Sequence, residues 1–229
     1  MTINPIPIIA IDGTIASGKG TIASKLAKRL GFHYLNSGAL YRLSAHLAIV
    51  HAIDIYDHTE ENLNQVVSLI VEESKHVTFI EKQVIYKDVD IWPLLSSQEM
   101  GNSASVISFF PPLRAAIRYF QRGRIEAPGL VAEGRDMGTA VFIDATSKIY
   151  LDASVEVRAT RRLAEEERRS SGKTFNMLCE ELRKRDEIDK GHAVGALKLA
   201  PDAFFIDTSN MTIEEVLETC YDWYLEKEK

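Results

Sequence analysis

The chain has 229 residues, 45% of them hydrophobic and 26% charged, and its net charge is −6. That length buries a sizeable core in one domain with inserts, and the composition is that of a soluble globular protein. The charge balance argues against a general nucleic-acid binder, and the longest apolar run falls far short of the roughly 18 residues that cross a bilayer. Cys179 and Cys220 lie far apart with no zinc or disulfide spacing, and no basic start precedes an apolar leader, so a reducing, cytoplasmic setting is the expectation.

The first predicted unit is strand, glycine loop, helix. Ile6-Pro7-Ile8-Ile9-Ala10-Ile11 reads as a buried strand, and the stripe Ile22, Ala23, Leu26, Ala27, Leu30 predicts a helix from Lys19 to Leu30, closed by Gly31. Phe32 to Leu35 follows as a short strand, then a loop at Asn36-Ser37-Gly38 and a helix through Val50. Thr59 opens another helix with the stripe Leu63, Val66, Val67, Ile70, Val71. His76 to Glu81 and Val84 to Lys87 then read as a hairpin outside any strand–helix–strand rhythm, and residues 64–98 are taken as a small insert. Pro111-Pro112 starts the helix that carries Arg114. Leu130 to Glu133, Ile149 to Asp152 and Ala203 to Asp207 are short apolar strands of the parallel kind.

The helix after Ser154 meets a polar break at Arg168-Arg169-Ser170-Ser171-Gly172-Lys173, and a second helix resumes to about Arg185. Thr212-Ile213-Glu214-Glu215 has the capping-box pattern that opens the last helix. Five strands alternating with helices predict an α/β fold, a doubly wound parallel five-stranded sheet whose ligands lie at the carboxyl ends of its strands.

The stretch Asp12-Gly13-Thr14-Ile15-Ala16-Ser17-Gly18-Lys19-Gly20-Thr21 has the chemistry of a phosphate cradle. Gly13 and Gly18 let the main chain curl so that several N–H groups face one anion, while Lys19 and the start of the following helix add positive charge. Gly20 stands where the common pattern has a hydroxyl, so a direct protein ligand for Mg2+ is missing there. The ion is expected to travel with nucleotide phosphates and water, with no metal site in the protein itself.

Three further stretches carry candidates for a second substrate. Ser37, Tyr41 and Arg42 fall at a strand end and helix start, as a sugar–phosphate contact or as a helix cap with an exposed arginine. Arg135 and Asp136 follow an apolar strand that ends in Glu133-Gly134. Charges at a buried strand end are costly without a partner; Arg135 suits a bidentate phosphate contact and Asp136 an exocyclic amine, a structural Arg–Asp turn being the alternative. Between Arg158 and Lys190 stand ten basic residues interleaved with acidic ones. They form a solvated face laced with i,i+4 pairs, or hide a few arginines that meet phosphate.

The DGxxxxGKGT loop, the LxSGxxYR stretch, the run ASVISFFPPLR from Ala104 to Arg114, the EGRDMGT loop and RDxxD from Arg185 to Asp189 occur in one order. In that set and order the chain resembles the bacterial cytidylate kinases over nearly its whole length. The resemblance implies a core of about residues 1–63, 99–157 and 186–229, with residues 64–98 as a monophosphate-binding insert and 158–185 as a helical lid. It implies ATP on Gly13 to Thr21. Ser105, Arg114 and Asp136 are similar to residues that read the cytosine ring; Ser37, Tyr41, Arg42 and Arg135 to those around the monophosphate; Arg185 and Asp189 to a pair facing the ribose. Arg158 and Arg162 resemble lid arginines and, with Lys19 and Arg135, make up the expected catalytic set. The implied partners are ATP, carrying Mg2+, and CMP or dCMP. Neither nucleic acid nor membrane is expected, and the chain is expected to be a monomer.

Several positions depart from the family pattern. Thr14, Ile15 and Ala16 replace Pro-Ser-Gly, Asn36 and Glu133 stand where aspartates are more common, Ile188 replaces a polar residue, and His192 replaces an arginine. The reaction implied is ATP + CMP → ADP + CDP, which needs no general base because a monophosphate with a second pKa of about 6 is largely a dianion at neutrality. Alignment, water exclusion and positive charge suffice. Two alternatives stand beside it: a kinase of the same fold with another acceptor base, and a nucleotide-binding regulator that keeps the loop without transfer. The set Ser105, Arg114, Asp136 speaks against the first, while His192, Ile188 and the crowded loop keep the second open.

Overall fold

The computed structural model describes residues 6–57, 59–80, 83–168, 172–191 and 195–228, with the main chain alone at 165–168. β1 (Ile8–Gly13) is buried throughout because it is central and covered on both faces. Alternation along the strand sends Ile8 and Ala10 into one core and Ile9 and Ile11 into the other. The glycine loop leads into α1 (Lys19–Leu30), which Gly31 ends at φ 68°, a left-handed conformation natural for glycine. β2 (His33–Asn36), α2 (Ser37–Val50) and α3 (Glu60–Glu73) follow. Then come β3 (Val77–Ile80), β4 (Gln83–Tyr86) and β5 (Val89–Asp90), an antiparallel three-stranded sheet. α4 (Trp92–Leu95), α5 (Gln98–Ile107) and α6 (Pro111–Arg122) return the chain to β6 (Leu130–Gly134) and β7 (Ser147–Asp152). α7 (Val155–Arg168), α8 (Phe175–Gly191), β8 (Phe204–Asp207) and α9 (Ile213–Lys227) complete the order.

The main sheet has the order β2-β6-β1-β7-β8 with every neighbouring pair parallel, the five-stranded α/β arrangement expected from the alternation of elements. One face packs on α2, α3, α5 and α6 through residues such as Leu43, Ile70, Ile107 and Ile117; the other packs on α1 and α9 through Leu26, Val216 and Tyr224. A small third cluster, Ala159, Leu178, Cys179 and Leu182, joins α7 to α8 and takes in Ile15 and Ala16 of the glycine loop. Among the described residues no helix is long and apolar enough to cross a membrane.

Local differences from the sequence expectation have physical causes. Asn36-Ser37-Gly38 is no loop: Asn36 Oδ1 accepts from Ala39 N at 3.1 Å, a favoured N-cap, and α2 begins at Ser37. The hairpin acquires a third strand, β5, only two residues long and invisible to periodicity. α5 arises from a cap in which Ser97 Oγ accepts from Met100 N. α8 runs past Arg185 to Gly191, so Arg185 and Asp189 stand one turn apart on a continuous helix. The boundaries read at residues 64, 158 and 185 therefore fall inside α3, α7 and α8. Glu81 and Lys82 of the hairpin turn, residues 169–171 of the polar break, and His192 lie outside the described residues.

Candidate active site

All strands of a parallel sheet end on the same edge, and here that edge opens on a cleft of about 690 Å³. The glycine loop forms one end. A Cβ at Gly13 would lie 2.1 Å from the Leu151 carbonyl oxygen of β7, so nothing larger fits. Gly18 takes φ 92° as the N-cap of α1. Thr14 Oγ1 donates to Asp152 Oδ1 at 2.7 Å, strapping the loop to the end of β7. Lys19 Nζ lies 3.3 Å from the Thr14 carbonyl; burial lowers its pKa and the nearby Glu133 carboxylate opposes the shift. Ala16 sits at φ 62°, where a residue with a Cβ is strained, yet it and Ile15 pack on the α7–α8 cluster. These two departures from the family pattern thus join the loop to the helices above it.

Beside the loop stands Glu133, whose carboxyl is raised in pKa by burial against the opposing charges of Lys19, Arg135 and Arg42. A Cβ at Gly20 would come 3.5 Å from Glu133 Oε1, so the missing hydroxyl and this carboxylate are neighbours. Burial and the neighbouring Glu133 carboxylate raise the pKa of the Tyr34 hydroxyl well above its ordinary value.

The far end is a set of side chains from separate elements. Arg42 Nη1 donates to the carbonyls of Leu95 at 2.5 Å and Ser97 at 2.7 Å, and its guanidinium lies where a Cβ on Gly101 would be. Arg114 pairs with Asp136, donates to the Ser108 carbonyl at 2.9 Å, and lies 5.7 Å from the Tyr41 ring centre. Burial pushes the Tyr41 hydroxyl up to about 12. Burial also raises the Asp136 carboxyl, against the pull of Arg114. Arg135 donates to Asp189 Oδ1 at 2.7 Å, and Arg185 Nε lies 3.0 Å from the same oxygen without hydrogen-bond geometry. Burial, aided by the Arg185 charge, brings Arg135 down to about 10.

Asp12 underpins this end from below. Its carboxylate accepts from Met137 N and Gly138 N, each at 2.8 Å, and burial outweighs those bonds to push its pKa up to about 7. The β6 end is thereby tied to β1, and the main chain that carries Arg135 and Asp136 is held from both sides.

The two arginines expected in a lid divide. Arg158, expected over the phosphates, is 3% exposed and does not line the cleft. Its Nε donates to the Ala153 carbonyl at 2.9 Å, and Nη1 and Nη2 form a bidentate pair with Asp186 at 3.0 and 2.5 Å. A further bond reaches the Ile15 carbonyl at 3.3 Å, so Arg158 braces α7, α8 and the glycine loop. Arg162 does line the cleft and donates to Gln98 Oε1 at 2.7 Å. Arg161, not singled out in the sequence, donates to the Ser17 carbonyl at 3.1 Å and to the Thr208 carbonyl at 2.7 Å. Ile188 is exposed on α8, away from the cleft lining.

Gly13, Thr14, Arg158 and Asp189 are thus buried outside the lining, while the other sequence-predicted residues face the cleft: Ile15 to Thr21, Ser37, Tyr41, Arg42, Ser105, Arg114, Arg135, Asp136, Arg162 and Arg185. Sequence reasoning passed over Asp12, Gly101, Gln121 and Arg161. Gln121 alone left a usable signal, a carboxamide in helical register with Leu113, Arg114 and Ile117 on the buried side of α6.

A glycine loop between a central parallel strand and a helix, with lysine and arginines converging on one cleft, defines a P-loop phosphotransferase. The model of the cytidylate kinase family matches residues 9–225. The cytidylate kinase of Paraburkholderia phymatum is 43% identical over 218 residues, covering 95% of this chain and 92% of that protein. That of Ralstonia nicotianae is 42% identical with the same coverage. Among solved structures, TT1252 from Thermus thermophilus superposes with a TM-score of 0.53 at 18% identity, covering 99% of this chain and 100% of the other, a likeness of fold alone. The chain belongs to the cytidylate kinase family.

Proposed function

We propose that this protein transfers the terminal phosphoryl group of Mg2+–ATP to CMP and dCMP, giving ADP and CDP or dCDP. Family membership supports the reaction class, and the buried Arg114–Asp136 pair, in the same cleft as the glycine loop, carries the base assignment. Cytosine offers an exocyclic amine beside two acceptors. A carboxylate and a guanidinium side by side complement that edge, whereas the carbonyl of uracil would face the Asp136 carboxylate unfavourably.

In this reading the loop N–H groups and Lys19 hold the ATP phosphates, and Mg2+ enters as part of that substrate. Arg42 and Arg135 hold the acceptor phosphate, Ser37 and Tyr41 flank it, and Ser105 assists Arg114 and Asp136 at the base. Arg185 and Asp189 meet the sugar. Three buried atoms of the cleft lining, Ser17 Oγ, Arg114 Nε and Arg185 Nε, and Asp189 Oδ2 just behind it, have no hydrogen-bond partner. Each costs about 1–3 kcal/mol when left so, which nucleotide oxygens and hydroxyls would offset. Residues 64–98 and 158–185 act as the acceptor-side insert and the lid, Arg162 bringing charge to the transferring group and Arg158 bracing the lid. The two buried free cysteines fit a cytoplasmic setting.

The test is a coupled ADP-release assay with Mg2+–ATP and CMP, dCMP, UMP, AMP or GMP. CMP and dCMP are expected clearly ahead. UMP, AMP or GMP at the level of CMP would overturn the base assignment, and ATP binding without transfer to any acceptor would overturn the kinase reading.

A further inference from the structure

We propose that Gln121 is a positioning residue that fixes the Ser37 hydroxyl as a hydrogen-bond donor toward the phosphate end of the acceptor. The inference rests on the acceptor-site reading above and adds to it a residue that never reaches the cleft. Gln121 follows Arg114 by two helical turns on the buried side of α6, which also carries Leu113 and Ile117. It is 1% exposed, and a carboxamide in such a place is costly unless it is bonded. Its Nε2 donates to Ser37 Oγ at 2.8 Å.

Ser37 is buried as well, yet it lines the cleft as the first residue of α2. A serine hydroxyl has one proton and two lone pairs. Because Gln121 donates, one lone pair is occupied and the proton is not drawn toward α6. It remains for an acceptor in the cleft, where the start of α2 also favours an anion. One buried stripe of α6 thereby serves both ends of the acceptor: Arg114 at the base, and Gln121, through Ser37, at the phosphate.

The test is a double-mutant cycle with wild type, Gln121→Met, Ser37→Ala and the double variant, reading KM for CMP, KM for ATP, kcat and Tm. Gln121→Met keeps the volume and removes the donor. KM for CMP should rise about three- to tenfold, the worth of one hydrogen bond, with KM for ATP unchanged and kcat moved less. That rise should vanish when residue 37 is already alanine. Gln121→Glu, an acceptor that captures the Ser37 proton, should raise KM for CMP further than Gln121→Met. An equal rise in both backgrounds, or a lowered Tm with KM for CMP intact, would overturn the positioning role. Ser37→Ala without effect on KM for CMP would instead overturn the assignment of Ser37, and the proposal with it. Wild-type turnover of CMP stands apart from either failure.

Discussion

The loop end of the cleft and the Arg114–Asp136 end are made of different materials. At the loop end the cleft is shaped mostly by main chain: Gly13 and Gly18 form the turn, Thr14 straps it to Asp152, and Lys19 is the single basic residue within residues 12–21. At the other end the cleft is lined by side chains from α2, α5, α6, the turn after β6, and α8, among them Arg42, Ser105, Arg114, Asp136 and Arg185. A main-chain cradle assembles from contiguous residues and suits any phosphate. A cage of side chains needs the whole fold, and only a cage can tell one base from another. General affinity is local here and discrimination is not.

Helix α7 holds both a bracing arginine and a cleft-lining one, and separating them is the largest expected effect. Arg158→Ala leaves Asp186 buried without its partner and should cost about 3–5 kcal/mol in chemical denaturation. Arg162→Ala, partly exposed at the cleft, should shift stability by less than about 0.5 kcal/mol while lowering turnover. A wild-type denaturation midpoint for Arg158→Ala would remove the brace. At the loop end, Lys19→Met should lower kcat about 10²- to 10³-fold, or roughly 2.7–4 kcal/mol, in the ADP-release assay. Turnover within about threefold of wild type would place the needed charge elsewhere.

The clamp under the acceptor end should show in the pH dependence of stability. Asp12 holds its proton up to about pH 7 when folded, against an ordinary value of 3.8. Its contribution is therefore complete below about pH 4 and is lost as the pH rises through about 7, by at most about 1.4 kcal/mol per unit. Burial shifts Glu133 and Asp136 in the same direction, so they add to the slope. Asp12→Asn should flatten it, and denaturation midpoints at pH 4 to 7 that keep the wild-type slope would assign the proton to other groups.

Asp136→Asn tests the cage itself. The preference for CMP over UMP, as a ratio of kcat/KM, should fall by about 1–3 kcal/mol, and an unchanged ratio would mean that the base is read elsewhere. The smallest effect belongs to the cradle. Ala16→Gly relieves φ 62° and should stabilise by about 0.5–1 kcal/mol, some 1–4 °C in Tm. A lowered Tm would mean that the contact of Ala16 with α7 and α8 outweighs the backbone strain.

The asymmetry between the ends also sets what could be read in advance. The loop was legible because glycine spacing, the lysine and the helix start act within ten residues of one another. Asn36 is the near miss: it was placed in a loop, but it ends β2 and, by accepting from Ala39 N, caps α2. Arg158, Arg161 and Arg162 share one helix, and nothing local tells which of them turns inward. Arg158 and Arg162 are even one turn apart on the same side, yet Asp186 of α8 engages the first and leaves the second at the cleft. Asp12 was silent for the same reason, and the carboxamide of Gln121 marked a buried polar group without naming its partner, since Met137, Gly138 and Ser37 lie far along the chain.

By itself the sequence determined the five sheet strands and their alternation with helices, the parallel sheet, the glycine loop and the family, because periodicity, capping and glycine conformation are short-range properties. Only the tertiary structure decided which charged residues face the cleft and which are bound up in braces beneath it. A buried charge must find a partner, and that partner comes from segments that meet only once the chain has folded.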